Sequence, residues 1–288
     1  MAETNISSSS IAKEIRSVKN LFSFQGKRVV ITGAYSGVGA ATVELLSSLD
    51  ASEIIALDIR EPQGPITRFI ETDMGDAGAI DAAVDAIGGP VDVLFNNAGI
   101  AATVPAVEVM KVNYLGLRRL SETLLPKIPK GGAIANNASI AGGQWAGHLT
   151  EILELLALSD RQQAVEWIEG HAELVGGGYD FSKECLQVYT MLSSKSTMDS
   201  GVRTNSVCPG PIDTPLLPDF KKSMTEALID WQVEQSHGMM AAAEDVARAF
   251  VFLGTNASAF VNGVNINVDA GFSAALVTGQ LDFSTLPR

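Results

Sequence analysis

Residues 28–49 read RVVITGAYSGVGAATVELLSSL, and this stretch decides the fold. Its first five residues are mostly apolar and β-branched, which predicts a buried strand, and the apolar positions of residues 38–49 recur at helical spacing. Gly33, Gly37 and Gly39 lie between the two elements and allow a tight turn. The stretch therefore predicts a strand, a glycine turn and a helix in direct succession.

The same alternation of strand and helix continues along the chain. Strands that are apolar on both faces and separated by helices indicate a parallel sheet covered by helices on both sides. No change in composition divides the run, so we expect a single α/β domain with a doubly wound parallel sheet of seven strands. The predicted strands are Arg28–Thr32, Glu53–Asp58, Arg68–Thr72, Val91–Asn96, Ala133–Ser139, Arg203–Cys208 and Val264–Val268. The predicted helices include Val38–Leu49, Ala77–Ile87, Val104–Leu125, Tyr179–Met198 and Ala243–Leu253.

Two segments interrupt this pattern. Residues 1–26 are expected to form an N-terminal extension to a domain that spans residues 27–288. Serines at positions 7–10 can cap a short amphipathic helix, and both a frayed leader and a docked helix remain open. Residues 144–178 are predicted to be an insertion of one or two short helices before the next long helix. The apolar positions of the N-terminal helix are Ile11, Ile15, Val18 and Phe22.

The composition limits the classes of function. The chain has 33 acidic and 20 basic residues and a net charge of −13, without a basic stripe, so we expect no nucleic-acid or membrane partner. Neither a secretion signal nor a membrane-spanning apolar run is evident, which makes the cytoplasm the default location. Cys185 and Cys208 are expected to be reduced packing residues. The three histidines, His148, His171 and His237, show no ligand spacing, so we expect no metal.

The glycine turn is a candidate phosphate site. Glycines let a phosphate approach the backbone, and the free N–H groups at the start of the following helix attract its charge. Glycine-rich turns are common, but the position of this one between the first strand and the first helix favours dinucleotide binding.

Asp58 is a candidate contact for the ribose of the same dinucleotide. It ends the second predicted strand and lies 19 positions after Gly39, close to the interval at which a carboxylate reaches the ribose hydroxyls. This carboxylate would repel the 2′-phosphate of NADP, so we expect NAD. Arg60 could instead accept that phosphate, and Asp58 could be an ordinary acidic turn residue.

Tyr179 and Lys183 are four positions apart on a predicted helix, so their side chains share one face. Oxidation of an alcohol by hydride transfer needs a base for the hydroxyl proton. A phenol with a pKa of about 10 suits this role if the pKa falls toward neutrality, and a nearby ammonium together with the positive ring of NAD acts in that direction. The pair therefore predicts an acid/base tyrosine, although each residue alone is also compatible with a structural role.

Five motifs occur in a fixed order along about residues 27 to 272: TGxxxGxG at Thr32–Gly39, NNAG at Asn96–Gly99, Asn113, Ser139, and YxxxK at Tyr179–Lys183. Together they resemble the short-chain dehydrogenase/reductase family. The second strand LDIRE, the KVNYLGL segment, PGPIDTPLL and the insertion resemble more particularly the branch with coniferyl alcohol dehydrogenases and bacterial 3α-hydroxysteroid dehydrogenase/carbonyl reductases.

The resemblance implies a Rossmann fold, an NAD cofactor and a role for each motif residue. Tyr179 would be the general acid/base, Lys183 would bind the nicotinamide ribose, Ser139 would position the substrate oxygen, and Asn113 would hold a relay water. Ser139 precedes Tyr179 by 40 residues, more than the family usually has. The implied cofactor contacts are Gly33, Ser36, Gly37, Val38, Gly39, Asp58, Asp73, Met74, Asn96, Asn97, Ala98, Gly99, Tyr179, Lys183, Pro209, Gly210, Ile212 and Thr214.

The function expected from these residues is an NAD-dependent interconversion of an apolar alcohol and its carbonyl compound. Two substrate classes remain open: a secondary alcohol or ketone such as a steroid or terpenoid, and a primary allylic or benzylic alcohol of the coniferyl type. A catalytically silent NAD-binding regulator or scaffold is the alternative from another class. Gln144, Trp145 and residues 216–224 are substrate-pocket candidates. The resemblance also implies a homo-oligomer, a dimer or a tetramer, paired through the helices that begin near Val104 and Tyr179.

Overall fold

The computed structural model describes residues 19–287. Its main sheet consists of seven parallel strands, which confirms the predicted doubly wound sheet. The strands are β1 (Arg28–Thr32), β2 (Glu53–Asp58), β3 (Arg68–Glu71), β4 (Val93–Asn96), β5 (Ala133–Asn137), β6 (Arg203–Pro209) and β9 (Asn265–Val268), and β7 (Ile212–Asp213) pairs separately with β8 (Ala241–Ala242). The order in the main sheet is β3-β2-β1-β4-β5-β6-β9. It reverses between β1 and β4, and ligands of such sheets bind in the crevice at this switch point.

Helices cover both faces of the sheet. The helices are α1 (Gly37–Ser48), α2 (Ala77–Ile87), α3 (Ala106–Met110), α4 (Leu117–Leu124), α5 (Leu149–Ala157), α6 (Arg161–Gly170), α7 (Ala172–Val175), α8 (Tyr179–Asp199), α9 (Leu217–Met224), α10 (Glu226–Gln235), α11 (Ala243–Gly254) and α12 (Phe272–Val277). None of the helices within residues 19–287 is long and apolar enough to cross a membrane.

Successive residues of the central strands face opposite helical layers. In β1, Val29 and Ile31 pack in one core with Leu46 of α1 and Phe250 of α11. Val30 lies in the other core, with side chains of α2 and α4. Each such side chain contributes about 2 kcal/mol when it is fully buried, so both layers hold the sheet in place.

The predicted helix over residues 104–125 differs from the structure. The segment between α3 and α4, Lys111–Gly116, is a π-helix. Gly116 packs directly on the loop after β3, since a Cβ added there would lie 1.9 Å from the carbonyl oxygen of Met74. The wider π turn brings Gly116 against this loop, an arrangement that a regular 3.6-residue period does not reveal.

The insertion is helical and packs on the domain. It consists of a 3₁₀ segment, Ile140–His148, and helices α5, α6 and α7. Ile152, Leu155 and Ile168 are buried in a core that also contains residues of the π-helix and α8. The insertion therefore lies beside the helices through which the resemblance implies subunit pairing, and the oligomeric state stays a prediction.

The predicted N-terminal helix lies largely outside the described residues, which exclude Ile11, Ile15 and Val18. Residues 19–22 are helical, and Phe22 is exposed. Phe24 is fully buried, with its ring centroid 6.4 Å from that of Phe95. The last residues before β1 thus contribute to the core.

Candidate active site

A cleft of about 460 Å³ opens at the carboxyl ends of the strands. The glycine turn and Asp58 line one part of it, and Ser139, Tyr179 and Lys183 line another. The residues predicted as catalytic or cofactor-binding all line this cleft except Gly39, Asn96 and Asn113. One cavity therefore joins the candidate cofactor residues to the candidate catalytic residues.

Two glycines of the turn, Gly33 and Gly39, have no room for a side chain. Gly33 has a φ of +66°, and a Cβ there would lie 2.7 Å from the Cα of Ala98. A Cβ on Gly39 would lie 1.9 Å from the carbonyl oxygen of Gly33, so Gly39 supports the turn from behind the cleft. Within residues 19–287, the Ser36 side chain accepts no hydrogen bond from the backbone N–H groups at the start of α1. The first N–H groups of α1 are thus available to a phosphate at the cleft.

Asp58 lies at the edge of the turn. Its carboxylate oxygens accept hydrogen bonds from the backbone N–H groups of Tyr35 at 2.9 Å and Arg60 at 3.2 Å. The guanidinium carbon of Arg60 lies 4.0 Å from the centroid of the Tyr35 ring. The carboxylate and the guanidinium therefore both line the same part of the cleft, so both groups that bear on NAD or NADP preference are present.

The residues after β3 and β4 form the wall beside the turn. Asp73 accepts a hydrogen bond from the backbone N–H of Gly75 at 2.7 Å. The Thr32 hydroxyl accepts from the N–H groups of Asn97 at 3.0 Å and Ala98 at 2.9 Å, which attaches this loop to β1. Asn97 in turn donates to the carbonyl of Gly33 at 2.7 Å.

Asn96 does not line the adenosine side of the cleft, so that expectation was wrong. It is the last residue of β4, and its side chain is buried on the opposite side from Asn97. There it donates to Ser121 at 2.8 Å and to Asn136 at 2.9 Å. The alternation of side chains along a strand explains why only one of the two asparagines faces the cleft.

The candidate catalytic residues meet where α8 begins. Lys183 is 5% exposed, and its Nζ donates to the carbonyl of Asn137 at 2.8 Å. The same Nζ lies 5.6 Å from the centroid of the Tyr179 ring. The Ser139 hydroxyl accepts from the N–H of Ala141 at 3.1 Å and is buried at the cleft wall. The spacing of four residues does place tyrosine and lysine on one helix face.

Burial controls the protonation of this pair. Desolvation lowers the pKa of Lys183 from 10.5 to about 8. Desolvation also raises the pKa of the Tyr179 phenol well above its usual value, and the neighbouring Ser139 hydroxyl opposes part of this rise. In the protein without a ligand the pKa of Tyr179 is therefore not near neutrality, and the fall expected from Lys183 together with the positive ring of NAD stays a prediction for the protein with NAD bound.

Asn113 supports the site from behind. It lies in the π-helix, and its side chain accepts from the N–H of Ile100 at 2.8 Å and donates to the carbonyl of Ile100 at 2.9 Å. A Cβ on Gly99 would lie 3.4 Å from Asn113 Oδ1 and 3.7 Å from Lys183 Nζ. Asn113 thus fixes the loop after β4 next to the lysine.

The remaining wall of the cleft is mostly apolar. Phe220 of α9 packs edge-on against Tyr179, with ring centroids 4.9 Å apart and an interplanar angle of 70°. Pro209, Gly210, Ile212 and Thr214 line the neighbouring part. The apolar residues that share this wall are Ile100, Ile140, Leu216, Leu217, Met224 and Ile229.

Two of the substrate-pocket candidates lie elsewhere. Five of residues 216–224 line the cleft, whereas Gln144 and Trp145 do not; the five are Leu216, Leu217, Asp219, Phe220 and Met224. The 3₁₀ segment after Ser139 turns Gln144 to solvent and Trp145 onto the insertion core. Ile229 and Gln232 of α10 line the cleft and were missed, because α10 was not predicted.

The histidines and cysteines lie away from the cleft lining. His148 Nδ1 lies 2.7 Å from Glu184 Oε2, and the ring of His171 stacks on Trp167 at 3.8 Å. Cys185 and Cys208 are free and buried. Within residues 19–287 there is no cluster of three or more histidine, cysteine or acidic residues suited to a metal.

Comparison with known proteins identifies the family of this chain. Residues 27–150 match the family model described as short chain dehydrogenase, and residues 170–273 match the model described as enoyl-(acyl carrier protein) reductase. The chain is 31% identical over 252 residues to coniferyl-alcohol dehydrogenase of a Pseudomonas species, covering 87% of this chain and 98% of that protein. It therefore belongs to the short-chain dehydrogenase/reductase family of oxidoreductases.

Two further members of that family are similar to this chain, one in sequence and one in structure. The chain is 27% identical over 259 residues to 3-alpha-hydroxysteroid dehydrogenase/carbonyl reductase of Comamonas testosteroni, covering 86% of this chain and 97% of that protein. The crystal structure of 3-alpha-hydroxysteroid dehydrogenase from a Pseudomonas species, complexed with NADH, superimposes with a TM-score of 0.71 at 30% identity. That match covers 88% of this chain and 99% of the other.

Proposed function

We propose that this protein is an NAD-dependent oxidoreductase that interconverts an apolar alcohol and its carbonyl compound by hydride transfer. The observation that carries the proposal is the single cleft, which has the glycine turn and Asp58 in one part and Ser139, Tyr179 and Lys183 in another. A binding module would need only the first part. The second part supplies what proton transfer at an alcohol oxygen requires.

The residues of the cleft suit a nicotinamide dinucleotide. The glycine turn and the start of α1 would hold the pyrophosphate, and the Asp58 carboxylate would accept from the adenosine ribose. Asp58 disfavours a 2′-phosphate, whereas Arg60 favours one. We propose NAD because the Asp58 carboxylate accepts a hydrogen bond from the backbone N–H of Tyr35, in the glycine turn. This bond holds the carboxylate beside the turn. When bound, the dinucleotide accepts or supplies the hydride.

Tyr179 would hold and transfer the proton at the substrate oxygen. Because its pKa is raised, the phenol is protonated in the free protein and is ready to act as the acid in carbonyl reduction. In alcohol oxidation it must release that proton, and the Lys183 ammonium, 5.6 Å from the ring centroid, stabilises the phenolate. Ser139 would orient the substrate oxygen, and Asn113 would keep the loop beside Lys183 in place.

The substrate would be apolar, because Phe220, Ile140, Leu216 and other apolar side chains form the wall next to Tyr179. The names of the relatives favour two classes: secondary alcohols or ketones such as hydroxysteroids and terpenoids, and coniferyl-type allylic or benzylic alcohols. We further propose that the enzyme is a cytoplasmic homo-oligomer, which light scattering on the purified protein tests.

The test is a panel of both alcohol classes with NAD and with NADP, followed by NADH or NADPH absorbance. We expect turnover with at least one class, a preference for NAD, and a loss of at least about 100-fold in kcat for Tyr179→Phe, as for removal of an acid/base group. No turnover with any substrate, despite NAD binding by calorimetry, would instead favour a catalytically silent NAD-binding regulator or scaffold.

A further inference from the structure

Helix α8 carries a third polar residue on the face that bears Tyr179 and Lys183. Gln187 follows Lys183 by four positions, so the three side chains lie one turn apart along the helix. The Gln187 Nε2 donates to the carbonyl oxygen of Ser139 at 2.8 Å, just as Lys183 Nζ donates to the carbonyl oxygen of Asn137 at 2.8 Å. Gln187 is 5% exposed, so this contact is shielded from water.

The segment that Gln187 contacts is the one that carries the candidate catalytic serine. Ser139 has an extended backbone and caps the 3₁₀ segment, with its hydroxyl accepting from Ala141 and its carbonyl accepting also from the N–H of Gly142 at 3.1 Å. A Cβ on Gly142 would lie 2.6 Å from the carbonyl group of Lys183 and 2.8 Å from Gln187 Nε2. The turn after Ser139 therefore rests directly on α8 at Gln187.

We infer that Gln187 is a positioning residue, which holds the Ser139 backbone so that the serine hydroxyl stays at a fixed distance from Tyr179. This inference rests on the proposed function, because positioning matters only if Ser139 orients a substrate oxygen. Gln187 does not line the cleft, so it acts through Ser139 and not on the substrate.

The chemistry of the position favours glutamine. A buried carbonyl needs a donor, and a neutral amide supplies one without placing another charge next to Lys183. Glutamate would set a carboxylate against the carbonyl oxygen of Ser139, and an apolar side chain would leave that oxygen with the N–H of Gly142 alone. Small displacements of a group that orients the substrate can reduce the rate about 100-fold.

Two variants separate positioning from general stability. Gln187→Met keeps the length and burial of the side chain but removes the donor. Thr190→Val is the matched control, because Thr190 lies on the same helix, is buried, and accepts from Asn136 at 2.9 Å without any contact with Ser139. Thr190→Val also removes the hydrogen bond that the Thr190 hydroxyl donates to the carbonyl oxygen of Leu186 at 2.8 Å, so the control loses two buried hydrogen bonds where Gln187→Met loses one. Its loss of stability in urea should therefore be at least as large as that of Gln187→Met.

Three measurements on the full-length protein test the inference. For Gln187→Met we expect kcat to fall about 10- to 100-fold while the Kd for NAD, measured by calorimetry, changes less than about twofold. The pH profile of kcat should also shift to higher pH, because a displaced Ser139 hydroxyl no longer opposes the rise in the pKa of Tyr179. Amide hydrogen exchange over residues 140–143 should be faster than in the wild type. Thr190→Val should leave all three unchanged.

The inference is overturned by exchange over residues 140–143 that equals the wild type in Gln187→Met, or by equal losses of kcat in the two variants. A wild-type protein without turnover would count against the proposed function instead. In that case the exchange measurement still decides whether Gln187 holds the Ser139 segment, since it needs no activity.

Discussion

Replacing Lys183 by methionine removes a charge that the protein keeps almost completely out of water. Lys183 is 5% exposed, and burial lowers its pKa from 10.5 to about 8. At pH 7 the lysine is mainly protonated in both the folded and the unfolded chain, so this difference in pKa lowers the free energy of unfolding by about 3 kcal/mol. Methionine does not carry that penalty.

The variant also loses a favourable contact. The hydrogen bond from Lys183 Nζ to the carbonyl of Asn137 is worth about 1–2 kcal/mol. The net expectation for Lys183→Met is a protein that is about 1–2 kcal/mol more stable than the wild type at pH 7 and has lost turnover. Stability gained at the expense of activity is typical of a strained catalytic group.

The difference in stability between Lys183→Met and the wild type should decrease as the pH rises. Between about pH 8 and 10.5 the unfolded chain binds more protons at Lys183 than the folded chain, so wild-type stability rises with pH in this window. From pH 7 to pH 9 the penalty falls by about 1 kcal/mol, and the advantage of Lys183→Met shrinks by the same amount. Urea unfolding of both proteins at pH 7, 8 and 9 measures this, and Lys195→Met, at an exposed position on α8, is the control.

Two results would refute this reasoning. One is a difference in stability between Lys183→Met and the wild type that stays constant from pH 7 to pH 9. The other is a Lys183→Met protein that is clearly less stable than the wild type at pH 7, which would mean that the hydrogen bond outweighs the cost of the buried charge.

Three further variants test other parts of the site. Asp58→Ala should shift the ratio of kcat/KM for NAD over NADP about tenfold toward NADP, or about 1.4 kcal/mol, and an unchanged ratio would remove Asp58 from cofactor choice. Gly39→Ala should lower the free energy of unfolding in urea by about 1–3 kcal/mol or more, because the added Cβ would lie 1.9 Å from a backbone carbonyl. Gly143→Ala, where the Cβ meets nothing within 4 Å, should be tolerated, and equal effects of the two would contradict the packing. Phe220→Ala removes the ring packed on Tyr179 and should raise KM for apolar substrates about tenfold in steady-state assays, whereas an unchanged KM would place the substrate elsewhere.

Much of the fold could be predicted from local patterns. Strands buried on both faces contain continuous apolar runs, as at residues 54–57 of β2, and the glycine turn after β1 predicts where the cleft lies. The shared face of Tyr179 and Lys183 follows from helical geometry alone. These features depend on residues that are close together in the sequence.

The parts that were missed depend on contacts between distant segments. The π-helix at residues 111–116 packs against the loop after β3. The pattern of apolar residues in that helix does not predict this contact. Trp145 is apolar and follows Ser139, yet the 3₁₀ segment directs it onto the insertion core. The contact of Phe220 with Tyr179 likewise forms only once α9 folds back over the cleft.

The most direct test of the central claim is the transfer of hydrogen from substrate to cofactor. The protein is incubated with NAD and an apolar secondary or allylic alcohol that carries deuterium on the alcohol carbon, and the cofactor is analysed by mass spectrometry. We expect deuterated NADH with the wild-type protein, formed at least about 100-fold more slowly with Tyr179→Phe. Unlabelled NADH from the wild type, or equal rates of labelling with both proteins, would contradict this claim.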